Sequence, residues 1–454
     1  MGTMQRLRAG WLVVALGLCM VPAGRGQAQV NTERPGSLLI FPKVVNDGTR
    51  TTVIQISNTG NSLEQARCFY IDGQRCRDMD FHLTLTKQQP TFWNVADGRT
   101  MHNTPSPLPG IMPGPVPPVP PGFVGALVCA SIDRSGTPVG TNSLIGKATL
   151  YGPGENSAKY NAIGFVNKHG GTNVTDNNVD LDELEYNACP GAVRVNFPNP
   201  AAPDPAIVAA GNWGQCRVSG LPCSGDPGCI TSTPGICDVG GTFTCTTGTV
   251  GAPCSSDAAC TLFINDGPCL NGICSDGSTR CDTTRAPSCP IGVCSALTGS
   301  VTNVTVLPCN LNLDTLQPTS LALSLNGTDG EQNPLSGSKT VSCWESFTLE
   351  ARTGCTGGPG HACLTPPATD FATVNIKSTS GGPFVAVAET FHLDTAGNAS
   401  SAAVNVFMAT GVCSAASPNA GQVCNNNSDC AGGTCIAPAP PPPGVGSTIR
   451  LPAY

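Results

Sequence analysis

The densest run of oxygen-bearing side chains in the sequence is Asp176-Asn-Asn-Val-Asp-Leu-Asp-Glu-Leu-Glu185. Calcium takes hard oxygen ligands, and the alternating Asp176, Asn178, Asp180 and Asp182 supply several. An EF-hand count begun at Asp176 meets Leu181 where glycine is needed and Asn187 where a bidentate glutamate is needed. The run is therefore a calcium candidate set against a plainer reading, an acidic loop capping a short helix over 181–186. No other cofactor is indicated. The five histidines, His82, His102, His169, His361 and His392, are scattered, and none forms H-E-x-x-H. Ser336-Gly-Ser-Lys339 matches S-x-x-K, but the S-D-N and K-T-G partners of that chemistry are missing. Glu389 near His392 is a conceivable acid–base pair, although a lone carboxylate at a strand end is ordinarily solvated. Trp93 and Trp344 lie in strand patterns and read as core, whereas Trp213 lies in a glycine-rich stretch and is the one candidate platform for stacking a sugar.

Sulfur is the other reactive element, with 25 cysteines in 454 residues. Twelve fall between Cys216 and Cys294 and four between Cys413 and Cys435, in stretches otherwise made of Gly, Ser, Thr, Asp and Pro. Such segments cannot assemble a hydrophobic core, so cross-links must hold them. Zinc fits poorly: C-x4-C recurs without C-x2-C, and no histidine lies between Cys216 and Cys294. Redox catalysis lacks its C-x-x-C motif. The sixteen divide into quartets, Cys216/Cys223/Cys229/Cys237, Cys245/Cys254/Cys260/Cys269, Cys274/Cys281/Cys289/Cys294 and Cys413/Cys424/Cys430/Cys435, each open to three connectivities. Outside the modules, local bridges Cys68–Cys76 and Cys355–Cys363 are expected around Asp72-Gly73 and Gly358-Pro359-Gly360. Cys129, Cys189, Cys309 and Cys343 are left for longer links, and a Cys189–Cys309 bridge would pinch the base of the larger insert.

Oxidised cysteines need an oxidising compartment, and the first residues agree. Arg6 and Arg8 precede a short apolar run, and Gly26-Gln-Ala28 offers small residues for cleavage before Gln29. The mature chain is expected to be secreted, extracellular or periplasmic, without a membrane-spanning helix, since no later run reaches eighteen apolar residues. Loss of Arg6, Arg8 and Arg25 takes the net charge from −7 to −10. A chain so acidic is repelled by phosphate backbones, so nucleic acid is not expected as a partner.

The elements that must position these groups are strands. Charged residues make up only 12%, against 54 glycines and 41 prolines, which disfavours helices. Residues 38–45 and 51–57 flank Asn46-Asp47-Gly48 and read as a hairpin. Phe81, Leu83 and Leu85 alternate with polar residues, and similar short runs follow to 448–451. The expected fold is mainly β, with two Ig-like or β-sandwich bodies carrying disulfide-rich insertions. Residues 1–28 form the signal. Residues 29–170 form an N-terminal sandwich with a proline-rich loop at 104–122. Residues 171–211 hold the connection and the first part of a second β-domain. A cysteine-rich insertion spans 212–297, the rest of the second sandwich takes 298–412 and 445–454, and a second cysteine-rich insertion with a proline-rich tail spans 413–444.

Several of these segments carry a resemblance. Gly36-Ser-Leu-Leu-Ile-Phe-Pro-Lys43, Ile54-Gln-Ile-Ser-Asn-Thr59, Cys68-Phe-Tyr70, Gly125-Ala-Leu-Val-Cys129 with Asp133, Lys159-Tyr-Asn-Ala-Ile163, Tyr186-Asn-Ala-Cys-Pro190 and Ala386-Val-Ala-Glu389 together resemble a group of uncharacterised secreted β-rich proteins of environmental Gram-negative bacteria. The resemblance covers most of 36–200 and 300–454 and makes the cysteine modules embellishments. It brings no activity and no catalytic residue. The expected function is non-enzymatic, with β-sandwich and stapled modules presented for adhesion, matrix assembly or binding of an extracellular protein or polysaccharide. The alternative is a secreted hydrolase whose carboxylates converge only in three dimensions.

Overall fold

In the computed structural model, residues 32–198 and 300–453 are described apart from short stretches, the longest being 101–111, 169–175, 352–359 and 437–446. Between 199 and 299 only short paired strands are described. The signal segment, Trp213 and Cys355 lie outside the described residues.

The described residues form strands and no helix. Nine strands build the first body: β1 (Leu38–Asn46), β2 (Thr51–Asn58), β3 (Glu64–Asp72), β4 (Arg77–Leu85), β5 (Pro90–Asn94), β6 (Phe123–Ile132), β7 (Leu144–Tyr151), β8 (Ser157–Asn161) and β9 (Ile163–Phe165). The turn after Asn46 is where the sequence places it, held by Asp47 Oδ1 accepting the Arg50 N–H at 2.7 Å. The expected hairpin is nevertheless only a corner, because β1 and β2 pair at Asn46↔Thr51 alone. β1 then runs beside β6 in the order β4-β3-β6-β1, with β9 on its other edge, while β2 lies between β5 and β7, with β8 beyond. All nine residues of β1 and all ten of β6 are buried. Their unbroken apolar runs therefore mark strands covered on both faces. The second half of the proline-rich stretch lies along this body: Val116 and Val119 are buried, and the Pro113 carbonyl accepts the Thr84 N–H.

The second body is a pair of five-stranded sheets. One is ordered β15-β14-β18-β11-β21, from β11 (Ala192–Pro198), β14 (Ser320–Asp329), β15 (Pro334–Ser342), β18 (Phe371–Ser380) and β21 (Phe407–Ala409). The other is ordered β17-β16-β12-β19-β20, from β12 (Ser300–Pro308), β16 (Glu345–Glu350), β17 (His361–Cys363), β19 (Phe384–Leu393) and β20 (Ala399–Asn405). Val193, Val195, Leu323, Leu325, Val374 and Ile376 of the first sheet share a core with Val304, Val306, Phe347, Leu349, Ala386 and Ala388 of the second.

The opposite face of that second sheet is not solvent-facing. Leu307, Val385 and Val387 belong to the core of the first body, so the sheet containing β12 and β19 is the middle layer of the molecule. A small third sheet completes the joint, with β22 (Ser447–Arg450) between β10 (Asn178–Leu181) and β13 (Leu311–Asn312). Val179, Leu181, Leu311, Ile449 and Leu451 enter the first core from this sheet. Residues 447–450 thus close the seam between the bodies, rather than only extending the second sandwich as the sequence reading has them. Burying side chains of this size contributes about 1.5–3 kcal/mol each, so the bodies are joined by a shared core and not by a linker.

Candidate functional site

Along that seam, charged residues that the sequence scatters come together. β1 carries Pro42, which cannot donate to a ladder, and its register with β6 shifts between Phe41 and Val44. The resulting bulge turns the Lys43 side chain away from its own sheet. Its loose backbone groups find side-chain partners. Trp344 Nε1 donates to the Pro42 carbonyl at 2.7 Å, the Lys43 N–H donates to the Tyr160 hydroxyl at 3.1 Å, and that hydroxyl donates to the Lys43 carbonyl. Lys43 Nζ then lies 2.6 Å from Glu389 Oε2, while an Arg50 terminal nitrogen lies 2.5 Å from Oε1. All three side chains are buried.

Glu389 is therefore not a solvated strand-end carboxylate. On β19, Phe384, Ala386 and Ala388 face the second core, and Val385, Val387 and Glu389 face the first body. Burial alone would raise the Glu389 pKa, but the Arg50 and Lys43 charges and their hydrogen bonds outweigh it and hold the carboxyl below its usual range. The side chain of His392 lies outside the described residues, and with it the conceived acid–base pair with Glu389. In the next row across the sheet, Asn303 of β12 stands directly opposite Glu389 and accepts the Thr348 hydroxyl at 3.2 Å. Asn303 opens a glycosylation sequon but is fully buried. A second buried pair lies near the same sheet's edge, with His361 Nδ1 2.5 Å from Glu350 Oε1. The Lys43–Glu389–Arg50 cluster ties the first body to the middle sheet, whereas Glu350 and His361 join neighbouring strands of one sheet.

The acidic run resolves into separate local tasks. Asp176 accepts from Asn178, Asp180 accepts the Thr448 hydroxyl at 2.6 Å, and Asp182 accepts the N–H groups of Leu184 and Glu185 at 2.8 and 2.9 Å. Asn178 and Asp180 lie in β10, and the expected helix over 181–186 is a strand end followed by an Asx-capped bend. Among the described residues, no three acidic or histidine side chains bring ligand atoms within 4.8 Å of one another. The candidate ligands Asp176, Asn178, Asp180 and Asp182 are thus divided among separate hydrogen bonds. Glu185 is the group with an unusual titration: burial, then repulsion from Asp180, Asp176 and Asp182, pushes it up to about 7 against a backbone hydrogen bond from Asp180. A raised carboxyl stabilises the fold fully below its unfolded value of 4.5 and loses that contribution as pH rises through about 7. Glu185→Gln is expected to match the parent's urea midpoint near about pH 4 and to exceed it near about pH 8.

Ser336 and Lys339 also part company. Ser336 is exposed on β15, whereas Lys339 is buried on the other face and pairs with Glu345 at 2.5 Å. Trp93 and Trp344 are buried, and Trp93 Nε1 donates to the Tyr70 hydroxyl at 2.6 Å.

The bridges correct two expectations, the local Cys68–Cys76 pair and the longer link expected of Cys343. Cys68 is bonded to Cys129, not to Cys76, because Cys68 on β3 stands directly opposite Cys129 on β6. Cys76 and Cys343 are free thiols. Cys189 is bonded to Cys309, and Cys363 is bridged as well. In the last module, Cys413–Cys430 and Cys424–Cys435 close a knot whose buried core consists of Cys413, Cys424 and Cys430.

That module has a backbone pattern the cysteine spacings alone do not display. A G-x-C strand, Gly411–Cys413, sits between two partners with Gly411 opposite Cys424 and Cys413 opposite Cys435. Gly272–Cys274 repeats it, with Gly272 opposite Cys281 and Cys274 opposite Cys294, and Gly214–Cys216 has Gly214 opposite Cys223 but Cys216 opposite Cys269, which the sequence division places in the next quartet. The G-x-C tripeptide was the available signal. It predicts that the quartet Cys274/Cys281/Cys289/Cys294 bonds first to third and second to fourth. Peptide mapping without reduction should recover Cys274–Cys289 and Cys281–Cys294, and any other pairing of the four contradicts the shared pattern.

No protein family matches the sequence, and no curated protein does. A solved structure described as a crystal structure of Thermotoga maritima 1070 aligns with 30% of this chain and 98% of its own, at 9% identity and a TM-score of 0.20, too slight a likeness to carry an argument. Among the described residues no helix is long and apolar enough to cross a membrane.

Proposed function

We propose that this is a secreted, non-enzymatic protein, of the kind its sequence resembles, whose two fused β-bodies hold disulfide-stapled modules out for adhesion, matrix assembly or binding of an extracellular protein or polysaccharide. The observation that carries this reading is the fate of Glu389. The carboxylate best placed to serve a hydrolase is sealed between Lys43 and Arg50, where it can neither meet a substrate nor exchange a proton with one. The arrangement of the modules supports it too. β21, which leads into the second module, pairs through Ala409 with the start of β11, and the larger insertion leaves from the other end of β11. Cross-linked modules at both ends of one central strand suit a scaffold that displays them.

The test is a chain from Gln29 onward, immobilised and challenged with arrays of polysaccharides and extracellular-matrix proteins beside a broad hydrolase panel. Retention of a polysaccharide or matrix protein that is lost when 212–297 or 413–444 is removed, with the strand spectrum intact, is the expected result. Turnover of any panel substrate that Glu389→Gln abolishes without unfolding would reverse the reading.

A further inference from the structure

The two free thiols face each other across the seam. Cys76 lies in the turn between β3 and β4 of the first body, and Cys343 in the turn between β15 and β16 of the second. Both line one crevice with Ile71, Leu311, Leu313 and Thr319, near enough for Cys76 to bear on the ionisation of Cys343. Both residues hold left-handed backbone angles, φ 50° and 65°, which side chains other than Gly adopt at a cost. Such strain persists where surrounding structure imposes it. Here the imposition is visible: the Cys343 N–H donates to the Thr319 carbonyl at 3.0 Å and the Cys76 N–H to the Asp72 carbonyl at 2.8 Å. The flanking residues lock the two turns together. Trp344 packs so closely on Gly73 that a Cβ there would lie 2.2 Å from its ring, and its indole nitrogen reaches back to Pro42.

We propose that Cys76 and Cys343 are the two halves of a covalent latch between the bodies, closed by thiol–disulfide exchange with a small or protein disulfide. Cys76 is partly exposed and is the entry thiol, while Cys343 is buried and resolves. The Cys76 thiolate attacks one sulfur of the donor disulfide, forming a mixed disulfide and expelling one donor thiolate. Cys343 then gives up its proton and attacks the Cys76 sulfur, expelling the second donor thiolate. Two protein thiols become one cystine, and the donor disulfide takes up two electrons and two protons as two thiols. Burial, together with the neighbouring Cys76, pushes the Cys343 pKa up, which suits a thiol that acts second. Among the described residues, Cys68–Cys129 lies within the first body, Cys189–Cys309 joins the start of β11 to the end of β12, and Cys413–Cys430 and Cys424–Cys435 lie within the last module, so none of these fastens the β3–β4 turn to the second body as this link would.

The latch is independent of any ligand and is tested on the purified full-length chain with oxidised glutathione as donor. Non-reducing peptide mapping should yield a Cys76–Cys343 linked peptide after oxidation, and both thiols should become refractory to iodoacetamide together. In Cys343→Ser, glutathione should remain on Cys76 as a mixed disulfide, whereas in Cys76→Ser the buried Cys343 should acquire none. Alkylation of both thiols in the folded, oxidised wild-type protein, or a bridge from either to a different cysteine, would overturn the proposal without recourse to a variant.

Discussion

Glu389→Ala should lower the unfolding free energy by about 3–5 kcal/mol, as much as truncating a large core side chain. The reason is what remains. Lys43 and Arg50 would stay buried with the carboxylate that faces both of them gone. Removing one member of a buried ion cluster exposes the full desolvation cost of the others, whereas replacing the whole cluster with apolar groups is often neutral. Lys43→Met/Arg50→Met/Glu389→Leu should therefore recover most of the stability that Glu389→Ala loses. A urea titration of the three proteins checks this, and a triple variant no better than the single would contradict it. The same carboxylate fixes a pH response. Its folded pKa lies below the unfolded value of 4.5, so its contribution is complete above that value and disappears as pH falls through the folded one. Acid should therefore loosen the seam between the bodies, and Glu389→Ala should flatten that part of the stability profile.

Breaking Cys189–Cys309 is the second large effect. These residues are 120 apart in sequence, and their bridge ties the strand that precedes the larger insertion to the strand that follows it. Closing a loop of that length restricts the unfolded chain by about 4–5 kcal/mol in the chain-entropy treatment. Cys189→Ser/Cys309→Ser should shift the urea midpoint accordingly with little change in the native strand spectrum. Excising 212–297 first shortens the loop, and because the entropy grows only as the logarithm of length, the bridge should keep about three quarters of its effect. Equal midpoints with and without the bridge would show that native strain cancels the gain.

How much of this was readable in the residues follows from what each reading depended on. Strand periodicity is local, and Phe81, Leu83 and Leu85 on β4 or Leu321, Leu323 and Leu325 on β14 face inward as alternation requires. Neighbourhood is not local. Cys68 has Cys76 close in sequence, but the adjacency of β3 and β6 gives it Cys129, 61 residues away. The hairpin expected around Asn46-Asp47-Gly48 failed in the same way: the turn chemistry was right, and β6 and β7 claimed the strands beyond it. Glu389 carried a readable signal that went unused. The run Phe384-Val-Ala-Val-Ala-Glu389 is apolar on both faces, which marks a covered strand, and an acid inside such a strand needs a cation. Which cation could come only from the other body. The free pair Cys76 and Cys343 was illegible for the same reason, being joined by the packing of Trp344 on Gly73 and by nothing in either turn's own sequence.

The seating of β22 between β10 and β13 has a bearing on how the molecule comes into being. Chains emerge from the ribosome in order, and Ile449 appears well after both of its strand partners, yet it fills a place between those segments made far earlier. Each body can condense as it emerges, but their junction stays ajar until residue 450 is free, and through that interval the facing apolar surfaces want a guardian.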